Sequence, residues 1–139
     1  MPILLGLDLG EKRAGVARSD ETQTIAEAFS TLFFTGKKEL LGKLKGLIEE
    51  FQPEKIVVGL PITLRGEKGI AAEKIEARVE WLKEHLKGEW VFWDERFSTV
   101  EAERVLLEAD LSREKRKNLR DQLAAQRILQ HYLDAHRKG

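Results

Sequence analysis

The sequence predicts an α/β fold in which a mixed five-stranded sheet is flanked by helices. The almost continuously apolar run 3–9 is typical of a central strand buried on both faces. Strand-like segments at 14–17 and 24–34 follow so closely that they favour an antiparallel meander. Further along the chain, helical periodicity alternates with short apolar runs, which favours parallel pairing through helical crossovers. The predicted order is βββαβαβαα.

The first helix and the fourth strand come from a clear change of period. Leu40, Leu44 and Ile48 recur at helical spacing and predict an amphipathic helix over about 37–51. The segment 55–59 is apolar and short, and it predicts a buried strand. Together they form the first helix–strand unit after the meander.

The remaining elements repeat this alternation. Apolar residues at helical spacing predict a second helix, and the run 90–93 predicts a fifth strand; the helix is marked by Ile75, Val79, Leu82 and Leu86.

Two helices are expected in the last third of the chain. Ser98 and Glu101 have the spacing of a capping box, which predicts a helix that runs to about residue 108. A polar, basic connector is expected over 110–117, followed by a last helix over most of 118–136.

Composition limits the function classes. The chain has 139 residues, of which 35% are charged and 42% hydrophobic, and it predicts one soluble domain over 1–139. The absence of cysteine excludes disulfides, thiol nucleophiles and cysteine-ligated metals. No apolar run is long enough to span a bilayer and no signal-peptide pattern is visible, so the expected location is cytoplasmic, with no membrane partner. Lys plus Arg and Asp plus Glu balance at 24 each, so a nucleic-acid partner would need a local basic patch.

Carboxylates follow or interrupt two predicted strands. Asp8 lies near the end of the most apolar strand, where lost hydration is costly unless a cation or hydrogen bonds compensate. Asp94 and Glu95 follow the strand 90–93, and open α/β sheets place their sites beyond such strand ends. Adjacent strand residues point to opposite faces, so we expect one of the two to share a face with Asp8, and spacing leaves open which one. The alternative is that these acids cap turns or begin a loop.

A third carboxylate, Asp121, prolongs the apolar stripe of the last helix, which continues through Ala124, Ala125, Ile128 and Tyr132. The alternative is a first-turn Asp that interacts with the helix N-terminus. Three clustered carboxylates would repel one another, and a divalent cation relieves the repulsion. Oxygen ligands suit Mg²⁺ or Mn²⁺, which support phosphodiester hydrolysis. The sequence therefore predicts a metal-dependent hydrolytic site.

Basic residues that could bind phosphate lie beside each of these acids. Lys12 and Arg13 follow Asp8 in a predicted turn, and Arg96 follows Glu95. A basic cluster leads into Asp121, and its members are Arg113, Lys115, Arg116, Lys117 and Arg120. The alternatives are a solvated hairpin turn for the first pair and a mobile, solvated loop for the cluster.

Four segments in this order resemble the YqgF/RuvX family of bacterial nuclease-like proteins: GLDLGEKRAGVA from Gly6, VVGLP from Val57, DERFST from Asp94 and DQLAAQRILQ from Asp121. The resemblance covers about 4–133. It implies a ribonuclease H-like fold, metal-dependent cleavage of nucleic acid, and a catalytic triad of Asp8, Glu95 and Asp121. It thus selects Glu95 over Asp94. The chain departs from the family at 62–65, where the family often has an LPxNxDG-like loop.

The resemblance also implies a substrate. The expected task is maturation of the 5′ end of precursor 16S rRNA, with the ribosome as a candidate partner and a monomer or weak homodimer as the expected state. The alternatives are a Holliday junction resolvase acting on branched DNA as a dimer, and a non-catalytic nucleic-acid-binding module of the same fold. An actin-like phosphotransferase shares the Gly-x-Asp-x-Gly start but needs two domains, which 139 residues cannot supply.

Overall fold

A computed structural model describes residues 2–62, 69–94 and 113–136, the side chains of 113, 114 and 116–118 excepted. The strands are β1 (Leu4–Leu9), β2 (Arg13–Ser19), β3 (Ala26–Phe33), β4 (Lys55–Leu60) and β5 (Glu89–Asp94), and the helices are α1 (Lys37–Phe51), α2 (Ile70–Lys83) and α3 (Arg113–Ala135). The helix predicted to begin near Ser98 lies outside the described residues. The assignment of 1–139 to one domain stays a prediction.

The sheet is mixed, as predicted. Its strand order is β3-β2-β1-β4-β5, with β1 central. β1 pairs antiparallel with β2, and β2 with β3, whereas β1, β4 and β5 run parallel. Val16 pairs with Ser30 and Ala17 with Ala28, so Phe29 is the extra residue of a β-bulge. The carboxyl ends of β1, β4 and β5 therefore meet at one edge of the sheet.

The two faces of the sheet are packed differently. Leu5, Leu7 and Leu9 of β1 join a cluster with side chains of α1 and α2, and we call this side the α1/α2 face. The alternate β1 residues lie on the opposite side, which α3 covers and which we call the α3 face. β1 is buried on both faces, which explains its continuous apolar pattern.

The predicted basic connector over 110–117 is wrong where the structure describes it. α3 begins at Arg113, so residues 113–117 are helical. Lys, Arg and Glu are good helix formers, and neither Gly nor Pro interrupts the segment 113–136. Asp121 consequently lies in the third turn of α3, too far from the helix start for the first-turn interaction considered as an alternative.

The second helix also differs from its predicted outline. It begins at Ile70 and ends at Lys83, and Leu86 belongs to the turn that follows rather than to the helix. Leu86 nevertheless joins the core of the α1/α2 face, because its side chain is buried there. Helical spacing therefore identified a buried position outside the helix. Within the described ranges, no helix is both long and apolar enough to cross a bilayer.

Candidate active site

Asp8 lies at the carboxyl end of β1 on the α3 face. It pairs directly with Gly15 of β2 in the antiparallel register, and directly paired residues share a face. Gly6, two residues before Asp8, also lies on this face, because a Cβ built on it would be 2.8 Å from the Cβ of Leu129 in α3. Two independent observations thus direct Asp8 towards α3.

Gly15 brings the backbone of α3 against the sheet beside Asp8. A Cβ at this position would lie 1.8 Å from the carbonyl oxygen of Asp121, a distance that no side chain could adopt without moving the helix. Ala124 and Ala125, which follow on α3, are almost completely buried. Small residues on both partners therefore permit a backbone-to-backbone approach between α3 at Asp121 and the strand residue that pairs with Asp8.

Asp121 is held beside the sheet by an ion pair with Arg13, the first residue of β2. Arg13 Nε lies 3.3 Å from Asp121 Oδ2, and the two side chains are only 27% and 16% exposed. The interpretation of Arg13 as a solvated turn residue is therefore wrong. Lys12, its neighbour, is exposed, and its carbonyl accepts a hydrogen bond from the Phe34 amide.

Glutamines on α3 fix the helix to the outer strand β3, and sequence reasoning missed them. Gln122 Nε2 donates to Thr31 Oγ1, and Gln126 Nε2 donates to the Ala26 carbonyl. Gln130 accepts from the Ala26 amide at 2.8 Å and donates to the Thr24 carbonyl at 3.0 Å. Their spacing of four residues, one helix face, is a signal that the sequence does contain.

The structure separates Asp94 from Asp8. In β5, Trp90 and Phe92 pack on the α1/α2 face, whereas Val91 and Trp93 pack on the α3 face. Strand alternation places Asp94, at the end of β5, on the α1/α2 face. Glu95 and Arg96 lie outside the described residues. Asp94 therefore does not share a face with Asp8.

The basic cluster lies along the first turns of α3. Lys115 is exposed and Arg120 is partly exposed, and both precede Asp121 on the same helix. The backbones of Arg113, Arg116 and Lys117 are helical, while their side chains lie outside the described part of the structure. The described side chains include no group of three acids or histidines close enough to share a metal ion.

Proteins of a known family are similar to this chain over nearly its whole length. A family model described as "RuvX: Holliday junction resolvase" matches residues 2–135. A protein of Syntrophomonas wolfei named "Putative pre-16S rRNA nuclease" is 51% identical over 131 residues, which are 94% of this chain and 93% of the relative. A protein of the same name from Thermoanaerobacter pseudethanolicus is 45% identical over 95% of this chain and 96% of its own length.

Solved structures confirm the predicted ribonuclease H-like fold. The fowlpox virus resolvase in complex with Holliday junction DNA has a TM-score of 0.61 and 12% identity, over 98% of this chain and 99% of the resolvase. RuvC of T. thermophilus with a Holliday junction substrate has a TM-score of 0.60 and 15% identity, over 97% and 95%. At these identities the likeness concerns the fold alone. The matches in sequence decide the family: the chain belongs to the RuvX family.

Proposed function

We propose that this protein is a metal-dependent nuclease that hydrolyses phosphodiester bonds in structured nucleic acid. The observation that carries the proposal is the close approach at Gly15. This residue pairs with Asp8 across β1 and β2, and its Cα side faces the backbone of Asp121 in α3. Membership of the RuvX family and the nuclease names of the relatives support it.

The third carboxylate of the proposed site is Glu95. Val91 and Trp93 lie on the α3 face of β5, and continued alternation would direct the side chain of residue 95 to that face as well. The alternation supports Glu95, and not Asp94, as the partner of Asp8 and Asp121. This agrees with the choice implied by the family resemblance.

The donor set fits Mg²⁺ or Mn²⁺. Asp8 and Asp121 are partly buried carboxylates, and the ion pair of Asp121 with Arg13 supports a site that attracts positive charge. In our proposal Asp8, Glu95 and Asp121 hold the cation. When bound, such a cation activates water for attack on phosphorus and stabilises the leaving oxygen.

The chain's own basic residues orient the substrate. Arg13 positions the carboxylate of Asp121 and has further guanidinium nitrogens that can donate to a phosphate oxygen. Lys12 and Lys115 are exposed and Arg120 is partly exposed, so they can bind phosphates on either side of the scissile bond. Arg96, Arg113, Arg116 and Lys117 complete the proposed set of phosphate contacts.

We assign precursor 16S rRNA as the substrate, because the relatives at 45–51% identity are named for it. The ribosome is then a candidate partner, and the place of action is the cytoplasm. The description of the family model favours a second candidate, Holliday junction cleavage, which requires two active sites and hence a dimer. Light scattering distinguishes the two, since a monomer that cleaves precursor rRNA excludes the resolvase alternative.

The test compares substitutions of the proposed ligands with a matched neighbour. Asp8→Asn, Glu95→Gln and Asp121→Asn should each lower Mn²⁺-dependent cleavage of precursor rRNA fragments by more than about a hundredfold, because each removes a charged metal ligand. Asp94→Asn should retain cleavage, because Asp94 lies on the other face. Calorimetry should show weakened Mn²⁺ binding in the first three variants only.

Two outcomes would contradict the assignment. Wild-type activity in Asp8→Asn with intact circular dichroism would exclude a role for the carboxylate. Loss of activity in Asp94→Asn with retained activity in Glu95→Gln would show that Asp94, and not Glu95, is the metal ligand.

A further inference from the structure

A large cavity opens on the α1/α2 face, on the other side of the sheet from Asp121. Its volume is about 830 Å³, and it lies between the β1–β2 turn, the start of α1 and one side of α2. Leu9 and Gly10, which directly follow Asp8, line one end of it. The β1–β2 turn, which follows Asp8 at the carboxyl end of β1, therefore borders the cavity.

Four cations surround this cavity, and we call it the basic groove: Lys12, Lys37, Lys74 and Arg78. Lys12, Lys37 and Lys74 are exposed. The acid among the lining residues is Glu11, whose side chain is 85% exposed and lies 3.8 Å from Lys74. An ion pair so exposed is weak. The groove thus carries an excess of positive charge.

Lys74, Arg78 and Trp81 lie on one stripe of α2, at i, i+4 and i+7. Arg78 Nη1 is buried and has no hydrogen-bond partner among the described residues, which is costly for a charged donor. Lys37 Nζ lies 4.8 Å from the centre of the Trp81 ring, which holds the ammonium at the groove. Leu9 and Ile75 add apolar surface between these charges.

We propose that the basic groove binds the single-stranded segment of nucleic acid that adjoins the scissile phosphate. Phosphates would pair with Lys37, Lys74 and Arg78, and bases or riboses would pack on the apolar surface near Trp81. The residues from Ile70 to Trp81 extend roughly 16 Å along α2, at 1.5 Å per residue, enough for more than one nucleotide. This inference rests on the proposed nuclease function, because that function supplies the strand that leaves the active site.

The experiment measures binding separately from cleavage. Anisotropy of a labelled RNA hairpin with a single-stranded extension is compared with that of a blunt hairpin, with EDTA present to prevent cleavage. The double variant K74Q/R78Q is compared with K45Q/K87Q, which removes two exposed lysines that do not line the groove. Thermal unfolding verifies that both variants fold.

The double variant should bind the extended hairpin about tenfold more weakly, whereas the blunt hairpin and the control variant should be unaffected. The slope of log affinity against log salt should fall by about 1.4, since each lost single-strand phosphate contact contributes about 0.7. Equal affinity of wild type and K74Q/R78Q for the extended hairpin would overturn the proposal and leave the groove to a protein or small-molecule partner. Loss of binding by K74Q/R78Q in a protein that never cleaves would retain the groove and reject the nuclease function.

Discussion

The two faces of the sheet differ in how closely the helix backbone approaches the strands. On the α1/α2 face, large aliphatic side chains such as Leu7, Leu40 and Leu44 fill the space between sheet and helices. On the α3 face, Gly6 and Gly15 let the helix backbone contact the strands directly. Side-chain packing tolerates shape changes, whereas backbone contact fixes position closely.

This difference has a functional meaning. Asp8 and Asp121 come from β1 and α3, and their separation depends on how closely helix and sheet approach. The glycines of the α3 face fix that distance closely. The α1/α2 face mainly contributes stability, and the basic groove lies on this face beside α2. One face positions the proposed catalytic acids, and the other stabilises the sheet that carries them.

The largest loss of stability should come from a substitution in the core of the α1/α2 face. Leu44→Ala removes a side chain that is 1% exposed and leaves a cavity, so the free energy of unfolding should fall by about 3–4 kcal/mol. Cleavage activity per folded molecule should change little, since Leu44 is remote from the carboxylates. Urea unfolding together with an assay below the transition tests this. Loss of activity without loss of stability in Leu44→Ala would contradict the conclusion that the α1/α2 face contributes stability and the α3 face positions the acids.

Gly15→Ala should lower stability somewhat less than Leu44→Ala but should also abolish activity. The added Cβ would overlap the Asp121 carbonyl, so α3 must move, at a cost of about 2–3 kcal/mol and with loss of metal-dependent cleavage. Gly46→Ala in α1 is the matched control, because a Cβ built there would have no atom of the described residues within 4 Å apart from its own stretch of helix backbone. The control should gain about 0.5–1 kcal/mol from helix propensity. Full activity in Gly15→Ala would show that the close approach does not position the acids.

Gln130→Leu should have a smaller effect that is confined to the α3 face. It removes the acceptor for the buried Ala26 amide and the donor to the Thr24 carbonyl. Unfolding free energy should fall by about 1–2 kcal/mol, because a buried amide loses its partner. Hydrogen exchange at Ala26 should accelerate more than exchange in α1. Unchanged exchange at Ala26 would show that the glutamine does not anchor the helix.

The smallest effect should come from Asp20, which lies in the β2–β3 turn and belongs to neither face. Hydrogen bonds from the Thr22 hydroxyl and the Ile25 and Thr24 amides lower the pKa of Asp20 from 3.8 to about 2. A lowered folded-state pKa stabilises the protein above pH 3.8, and this contribution is lost as the pH falls through about 2. Asp20→Asn should therefore lower the melting temperature slightly at neutral pH and by less at pH 2.

Glu21→Gln, an exposed neighbour with the same charge loss, is the control and should melt like wild type at both pH values. A difference between Asp20→Asn and wild type that persists unchanged at pH 2 would show that the ionised carboxylate is not the source of the effect.

Local patterns in the amino-acid sequence were enough to predict the elements and the candidate acids. Apolar runs and helical spacing predicted every described strand and helix, because burial imposes periods of 2 and 3.6 on the chain. Asp8 and Asp121 were conspicuous because a charge in an apolar pattern needs a compensating partner. The family motifs added the choice of Glu95, which local spacing left open.

How these elements pack against one another became visible only in the folded protein. The ion pair of Arg13 with Asp121 and the glutamine contacts to β3 join residues far apart in the chain. Local spacing places the glutamines on one helix face, but it does not say which surface that face contacts or how closely. Gly15 shows the reason: the sequence presents a small residue in a strand, and only the fold reveals the helix carbonyl that requires it.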